Sequence, residues 1–326
     1  MMNNNIANII SECKQRLDDA GGLKRVFFVA CGGSQAAIFP GFYFLQKEAL
    51  GFGVSIHNSS EFLYDTPKGV NKNALCICCS LKATKETVEA VIKAKAEGAV
   101  TIAMTGNTDT EMAKNGDYAV IYSNGDNQIY SESNQSNVLR ISFEILKAFE
   151  GYPYYDEAMS VFDKIDELVR TGKEKTLGFA NDCANRFKDN DLFYVLASGS
   201  MYASAYTMAC CHLMEMQWKH TVFLNSGEYF HGPFETTDRK TPVILLKSIG
   251  ATRILDERAE TFLKRHTDNL MVLDAQDLGM NELPESVREY FNPVVMIPIE
   301  RAFVSRFAEY TGHSMDYRRY MWKEDY

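Results

Sequence analysis

Two side chains of this chain, Glu215 and His231, have the types and the spacing for proton transfer. Read as a helix and the loop after it, the sequence sets the carboxylate about four helical turns ahead of the imidazole. An apolar, aromatic-rich run separates them, and Ser226-Gly227-Glu228 forms a turn just before the histidine. A base that takes a proton and an acid that returns one, brought to one pocket, form a general acid–base pair. The residues alone leave a plainer reading open. Glu215 in Leu-Met-Glu-Met-Gln-Trp is also an ordinary outward-facing helical glutamate, and His231 before Gly232-Pro233 is also a solvated turn histidine.

The elements that would position this pair occur twice. Arg25 to Cys31 is a short run of strand formers that meets Gly32-Gly33-Ser34 and then a helix. Leu192 to Ala197 repeats it, followed by Ser198-Gly199-Ser200 and an Ala-rich helix from Tyr202. Strand, Gly-rich turn and helix open a parallel βαβ unit, and one signal in each half predicts a duplicated α/β domain. Further strands are expected at 74–79, 100–104, 221–224, 242–246 and 270–273, with helices at 86–97, stopped by Gly98, and 255–265. Alternating strands and helices predict a parallel sheet covered on both faces. The boundary is expected near Gly151-Tyr152-Pro153, giving domains 1–152 and 153–326, with the helical pattern from Tyr155 to Lys188 bridging them.

Ligands of open α/β sheets bind at the carboxyl ends of the strands. Those ends carry Ser34, Ser80, Thr84, Thr87, Ser200 and Ser226. Ser34 and Ser80 are expected at helix N-termini, where unpaired N–H groups and the helix dipole favour an anion. Cys31-Gly32-Gly33-Ser34 lacks Gly-x-Gly-x-x-Gly spacing, and no Gly-Lys-Ser or Gly-Lys-Thr occurs, so neither a dinucleotide nor a Walker loop is present. A phosphomonoester held by hydroxyls fits better, and helix capping by the same residues is the alternative.

The chain has 326 residues, 46% hydrophobic and 24% charged, enough to bury a core without disulfides. A net charge of -9 argues against a nucleic-acid partner. No apolar run reaches the length a membrane span needs. The opening Met-Met-Asn-Asn-Asn-Ile has no leader character. The eight Cys have no disulfide framework, so reduced core thiols and a cytoplasmic location are expected. Cys76 and Cys78, and Cys210, Cys211 and His212, do not form a recognisable zinc spacing, so no metal is expected.

These segments resemble the SIS (sugar isomerase) phosphosugar-binding family over nearly the whole chain. The resemblance implies two tandem SIS domains, flavodoxin-like three-layer α/β/α units on parallel sheets. Cys31-Gly32-Gly33-Ser34 and Ser80 to Thr87 resemble its two phosphate loops. Glu215 with Ser226-Gly227-Glu228-Tyr229-Phe230-His231-Gly232-Pro233 resembles the isomerase half of glucosamine-6-phosphate synthase. The fructosamine 6-phosphate deglycases resemble it more closely, through Phe28 to Ser34, Met214 to Trp218 and the tail Arg318 to Tyr326. No glutaminase domain is expected with them.

The resemblance implies a ketosamine 6-phosphate substrate split by water into glucose 6-phosphate and free amino acid. Glu215 is then the base, His231 the acid, and Lys323 a tail lysine that closes over the sugar. Glu228 contacts sugar hydroxyls or orients His231. It implies no cofactor, and a homodimer whose histidine loop completes the neighbouring subunit's site. Contacts to the amino acid are expected from 131–137 and the tail, where Arg318 and Arg319 either meet an acidic group or hold structure. Two departures stand out. Lys82-Ala83 occupies a stretch where the family usually carries Gly, so Lys82 either supplies a charged phosphate donor or marks a weaker loop. His212 stands where the synthase has lysine; with His57, His220 and His313 it is expected to be structural. An aldose–ketose isomerase, an aminosugar-phosphate isomerase or deaminase, and a non-catalytic phosphosugar sensor are the other readings.

Overall fold

The computed structural model describes residues 5–324, so Asp325 and Tyr326 of the tail motif lie outside the described residues. The chain divides into two compact units, Met1–Asp163 and Lys164–Tyr326. Each is an α/β/α unit on a wholly parallel sheet.

The first unit runs α1 (Ile6–Asp19), β1 (Arg25–Ala30), α2 (Gly32–Glu48), β2 (Gly53–Asn58), α3 (Ser59–Tyr64), β3 (Ala74–Cys79), α4 (Lys85–Ala96), β4 (Val100–Thr105), α5 (Glu111–Asn115), β5 (Tyr118–Ile121), α6 (Asn134–Phe149) and α7 (Tyr155–Phe162). Its strand order is β2-β1-β3-β4-β5. Every residue of β3 and β4 is buried, which is why these segments are continuous apolar runs rather than alternating ones. α4 stops at Gly98 as expected, where the Ala99 N–H bonds back to the Ala94 carbonyl at 3.1 Å.

The second unit runs α8 (Ile165–Phe187), β6 (Leu192–Ala197), α9 (Tyr202–Tyr206), a π-helical segment Thr207–Met216, β7 (His220–Asn225), β8 (Val243–Lys247), α10 (Arg253–His266), β9 (Leu270–Asp274) and α11 (Asn292–Thr311). Its order, β7-β6-β8-β9, repeats that of the first four strands of the first unit. In each unit the order reverses beside the first strand, between β1 and β3 and between β6 and β8. A ligand crevice opens at such a switch point.

The edge strands β2 and β5 carry no strong sequence signal. β2 is only partly buried along its length and β5 has 4 residues. α11 escapes helical periodicity because it is buried almost all round and contains Pro298.

One charge cluster ties α10 to the ends of β8 and β9. Asp274 takes Arg253 in a fork, 2.7 Å from Nη1 to Oδ1 and 2.8 Å from Nη2 to Oδ2. Lys247 Nζ lies 3.1 Å from Asp274 and 2.8 Å from Glu260. Burial disfavours the charged Asp274 carboxyl, but the bonds from Arg253, the Gln276 N–H and Lys247 outweigh it and hold the carboxyl below its ordinary value. A depressed carboxyl contributes stability above the unfolded value and loses it as pH falls through the folded one. Asp274→Asn should therefore cost about 2–3 kcal/mol near pH 7. The gap between the two proteins should narrow steadily below about pH 5, read from urea midpoints across pH. A pH-independent gap would show that packing, not charge, is lost.

Candidate active site

The phosphate-loop residues of the first unit gather where the strand order reverses. Ser34 sits in the first turn of α2, its hydroxyl hydrogen-bonded with the Cys79 thiol at the end of β3 and with the Tyr122 hydroxyl. Burial pushes the Cys79 thiol up to about 12, so it stays neutral. Ser80 follows β3 but precedes α4 by a turn rather than opening it, which corrects the expectation of a helix N-terminus there. Its hydroxyl accepts the Thr84 N–H at 3.0 Å. Thr84 is the N-cap of α4, and its hydroxyl donates to Glu86 at 2.7 Å and lies 3.2 Å from that of Thr87. Thr87 is fully buried, 2.9 Å from the Ser59 hydroxyl. Lys82 is exposed at the turn. The corner is thus a chain of hydroxyls at a helix start, with the Glu86 carboxylate bonded to Thr84, where the helix N-terminus favours negative charge.

The second unit repeats this corner and fills it. Cys31 and Ser198 both leave their strands extended, and the glycines after them, Gly32 and Gly199, both take φ of 56°, a left-handed turn that excludes most side chains. Asn58-Ser59 after β2 is matched by Asn225-Ser226 after β7. Each asparagine side chain accepts an N–H two residues on, at 2.9 Å and 2.8 Å. Where the first unit has the hydroxyl of Thr87 on α4, the second has the carboxylate of Asp256 in the first turn of α10. Its Oδ1 accepts the Ser226 hydroxyl at 2.6 Å. Its Oδ2 accepts the Ser248 hydroxyl at 2.6 Å, the Ser248 N–H at 2.9 Å and the Ser198 hydroxyl at 2.9 Å. Asp256 is fully buried, and burial raises its carboxyl above the ordinary value against the pull of these donors.

Two expected ligand residues are corrected by this arrangement. Ser226 is buried against Asp256, and Ser200, 2% exposed, donates to the Glu289 carbonyl and accepts Asn292 Nδ2 at 3.2 Å. Both are spent inside the unit. Asp256 was missed from the sequence, because the register that aligns Gly32 with Gly199 and Asn58 with Asn225 sets Glu89, not Thr87, opposite it.

Glu215 lies near the end of the π-helical segment, with a quarter of its side chain exposed. The strand β7, expected at 221–224, stands between it and His231, so the helix does not pass straight into the histidine's loop. Its Oε1 accepts Arg318 Nε at 3.0 Å and Nη2 at 2.7 Å. The tail that brings Arg318 folds onto the segment's end. Gln217 Nε2 holds the His313 carbonyl at 3.0 Å, Trp218 meets the His313 ring edge-on at 4.4 Å, and Arg319 lies 4.2 Å over Trp218. Lys323 donates to the Arg318 carbonyl, not to Glu215. On the same segment, His212 is buried with Nδ1 3.7 Å from Glu300 Oε1. Burial and nearby Arg301 drop His212 to about 3, and burial lifts Glu300 well above its ordinary value. Burial thus pushes both groups toward their neutral forms, and the position carries no amine.

His231 is exposed, after the short turn Glu228–Phe230. The turn is seated on Phe230, Phe234 and Phe262, whose rings lie 5.6 to 5.9 Å apart. Glu228 is exposed beside it and its carbonyl accepts the His231 N–H at 2.9 Å. Among the described residues no hydrogen bond or ion pair joins His231 to Glu215. His57 is half-buried, 2.9 Å from the Ser55 hydroxyl.

Residues 23–142 match the SIS domain family. Fructosamine deglycase FrlB of Bacillus subtilis is 34% identical over 98% of both chains. Fructoselysine 6-phosphate deglycase of Escherichia coli is 25% identical over 91% of this chain and 85% of that protein. A crystal structure from Salmonella typhimurium LT2, named as a candidate phosphosugar isomerase, superposes with a TM-score of 0.95 at 36% identity, covering 99% of this chain and 96% of that one. The C-terminal domain of glucosamine-fructose-6-phosphate aminotransferase from Francisella tularensis shares the fold, with a TM-score of 0.77 at 18% identity over 95% and 93% of the two chains.

Removing Asp256 would strand three hydroxyls and one N–H without their acceptor. Asp256→Ala should cost about 3 kcal/mol, and Ser226→Ala about 1 kcal/mol, measured by urea unfolding. An Asp256→Ala protein as stable as the parent would show that the corner tolerates the loss of its internal anion.

Proposed function

We propose, for a chain that belongs to the family of SIS-domain fructosamine deglycases, that it converts a fructose–amino acid 6-phosphate and water to glucose 6-phosphate and free amino acid. The observation that carries this reading is Glu215, a part-exposed carboxylate displayed at the end of a distorted helix beside a tail rich in arginine. The names of the relatives support the substrate class.

The phosphate is assigned to Ser34, Ser80, Thr84 and Thr87, with Lys82 as a charged donor. A grip remote from the reacting carbon orients it. Glu215 takes a proton from C1, and the electrons of that bond form the C1–C2 double bond of an enaminol. The C2 carbonyl oxygen receives its proton from His231. Return of a proton to C2 moves the double bond to C1 and nitrogen as an imine. Water adds to the imine carbon, and the amine leaves as the C1 aldehyde forms. Glu228 orients His231 through the turn they share, and Lys323 secures the tail. No step calls for a cofactor. His231 is exposed and unbonded to Glu215, which supports a homodimer in which the histidine loop serves the neighbouring subunit. The eight free thiols suit a cytoplasmic protein.

A coupled glucose-6-phosphate dehydrogenase assay on a panel of fructosamine 6-phosphates tests the reading. Turnover should occur with at least one of them, and Glu215→Gln should lose about 10²- to 10⁴-fold in kcat with KM little changed. Interconversion of hexose phosphates without release from any fructosamine would reassign the chain to an isomerase, and binding without turnover to a sensor. Subunit sharing has its own test. Mixed dimers of Glu215→Gln and His231→Ala subunits should regain part of the parent activity, because one of their two sites keeps both groups. Verified mixed dimers with no recovery would place both residues in a site built by one chain.

A further inference from the structure

The Glu215–Arg318 contact bears on which fructosamines the site accepts, an inference that rests on the deglycase reading. Arg318 is 9% exposed at its side chain, and its guanidinium has two sets of partners. Nη1 donates to the carbonyls of Met315 and Tyr317 at 2.7 and 2.9 Å, both in the tail itself. Nε and Nη2 donate to one carboxylate oxygen, Oε1 of Glu215. The tail carbonyls therefore fix the guanidinium in place without Glu215. They leave its Nε–Nη2 edge, the edge whose geometry matches a carboxylate, facing the side chain assigned as the base. Among the described residues, the only charged acceptor on that edge is this carboxylate of the protein itself.

With Oε1 held by two N–H donors, Glu215 has only Oε2 to offer a C–H bond and cannot turn its carboxylate toward C1 without giving up Arg318. Yet an arginine left nine-tenths buried and unpaired on that edge would be costly. A substrate that brings its own carboxylate resolves both problems. In a fructosamine derived from an α-amino acid, the α-carboxylate lies a few bonds beyond C1, across the amine nitrogen. A molecule with C1 at Glu215 therefore carries an anion into the reach of Arg318. We infer that Arg318 is the receptor for the α-carboxylate of the departing amino acid. Its Nε–Nη2 edge passes from Glu215 to the substrate and frees Glu215 to take the C1 proton. The exchange keeps the guanidinium paired throughout. Substrate binding and base activation become one event. Fructosamines of simple amines, which carry no carboxylate, leave Glu215 held.

The test compares two substrates that differ only in this group, the 6-phosphates of fructosylglycine and of fructosylmethylamine, in the coupled assay. The parent enzyme should prefer the glycine compound by on the order of 100-fold in kcat/KM, the range of a charge-assisted paired contact. Arg318→Ala should collapse that ratio to near unity, through loss on the glycine compound. Arg318→Lys, which keeps charge but not the fork, should fall between. If Arg318 only anchors the tail or orients Glu215, the variants lose on both substrates alike and the ratio stays as in the parent, which overturns the inference. A parent enzyme that turns over both compounds equally overturns it without any variant, so a poorly folding Arg318→Ala protein does not leave the question open. Release of glucose 6-phosphate from neither compound, nor from any fructosamine in the wider panel, would instead remove the deglycase reading and this inference with it.

Discussion

A parallel sheet must bring all its strand-to-helix turns to one edge, and the first N–H groups of each helix arrive there without partners. That constraint governs both halves of this molecule. It concentrates donors at the switch point and creates a demand for negative charge. The first unit answers with the hydroxyls of Ser34, Ser80, Thr84 and Thr87 and with the Glu86 carboxylate on Thr84. The second answers with Asp256, which closes the corner from within. One fold used twice thus yields one anion corner and one plugged copy. The difference comes down to a hydroxyl on α4 and a carboxylate in the first turn of α10.

With its switch point closed, the second unit displays a part-exposed carboxylate, Glu215, elsewhere, on the segment that follows the Ser-Gly turn. That segment, Thr207–Met216, is wound as a π-helix, a geometry uncommon outside functional sites. On the same segment His212 is buried against Glu300, and burial pushes both toward their neutral forms. Trp218, at φ of 55°, turns the chain sharply out of the segment and presents the ring on which Arg319 and His313 pack. The tail is therefore held at several points, and Arg318 is delivered to Glu215 by contacts that do not themselves involve Glu215.

The central strands were legible in the sequence because burial on both faces leaves no alternation to misread. Ala74–Cys79 and Leu192–Ala197 are found at the expected residues. The first sheet's edge strands β2 and β5 and the proline-bearing α11 were not, since partial exposure, short length and all-round burial erase the periodic signal, whereas the second sheet's edges, β7 and β9, were expected at 221–224 and 270–273. The surroundings of Glu215 and His231 were not legible. Nothing local in the sequence says that Arg318, about a hundred residues downstream, returns to Glu215. The same limit misassigned Ser200 and Ser226. A serine after a strand looks alike whether it faces a ligand or a buried carboxylate, and the partner that decides lies on another element.

The departure at Lys82-Ala83 has a physical resolution of the same kind. Ala83 takes φ of 52°, the left-handed conformation that a glycine adopts freely and an alanine only at a cost of about 1 kcal/mol. The loop therefore follows the path a glycine would give it although the residue is not glycine. The strain is carried by its surroundings: the Ala83 N–H returns to the Ser80 carbonyl at 3.3 Å, and the Leu81 carbonyl accepts the Gly106 N–H at 3.1 Å. A strained backbone persists where the structure around it determines it, and such positions gather at binding loops. What changes at this turn is the side chain presented beside the hydroxyls, a lysine on the exposed face. The backbone still delivers Ser80 and Thr84 to the mouth of the first sheet.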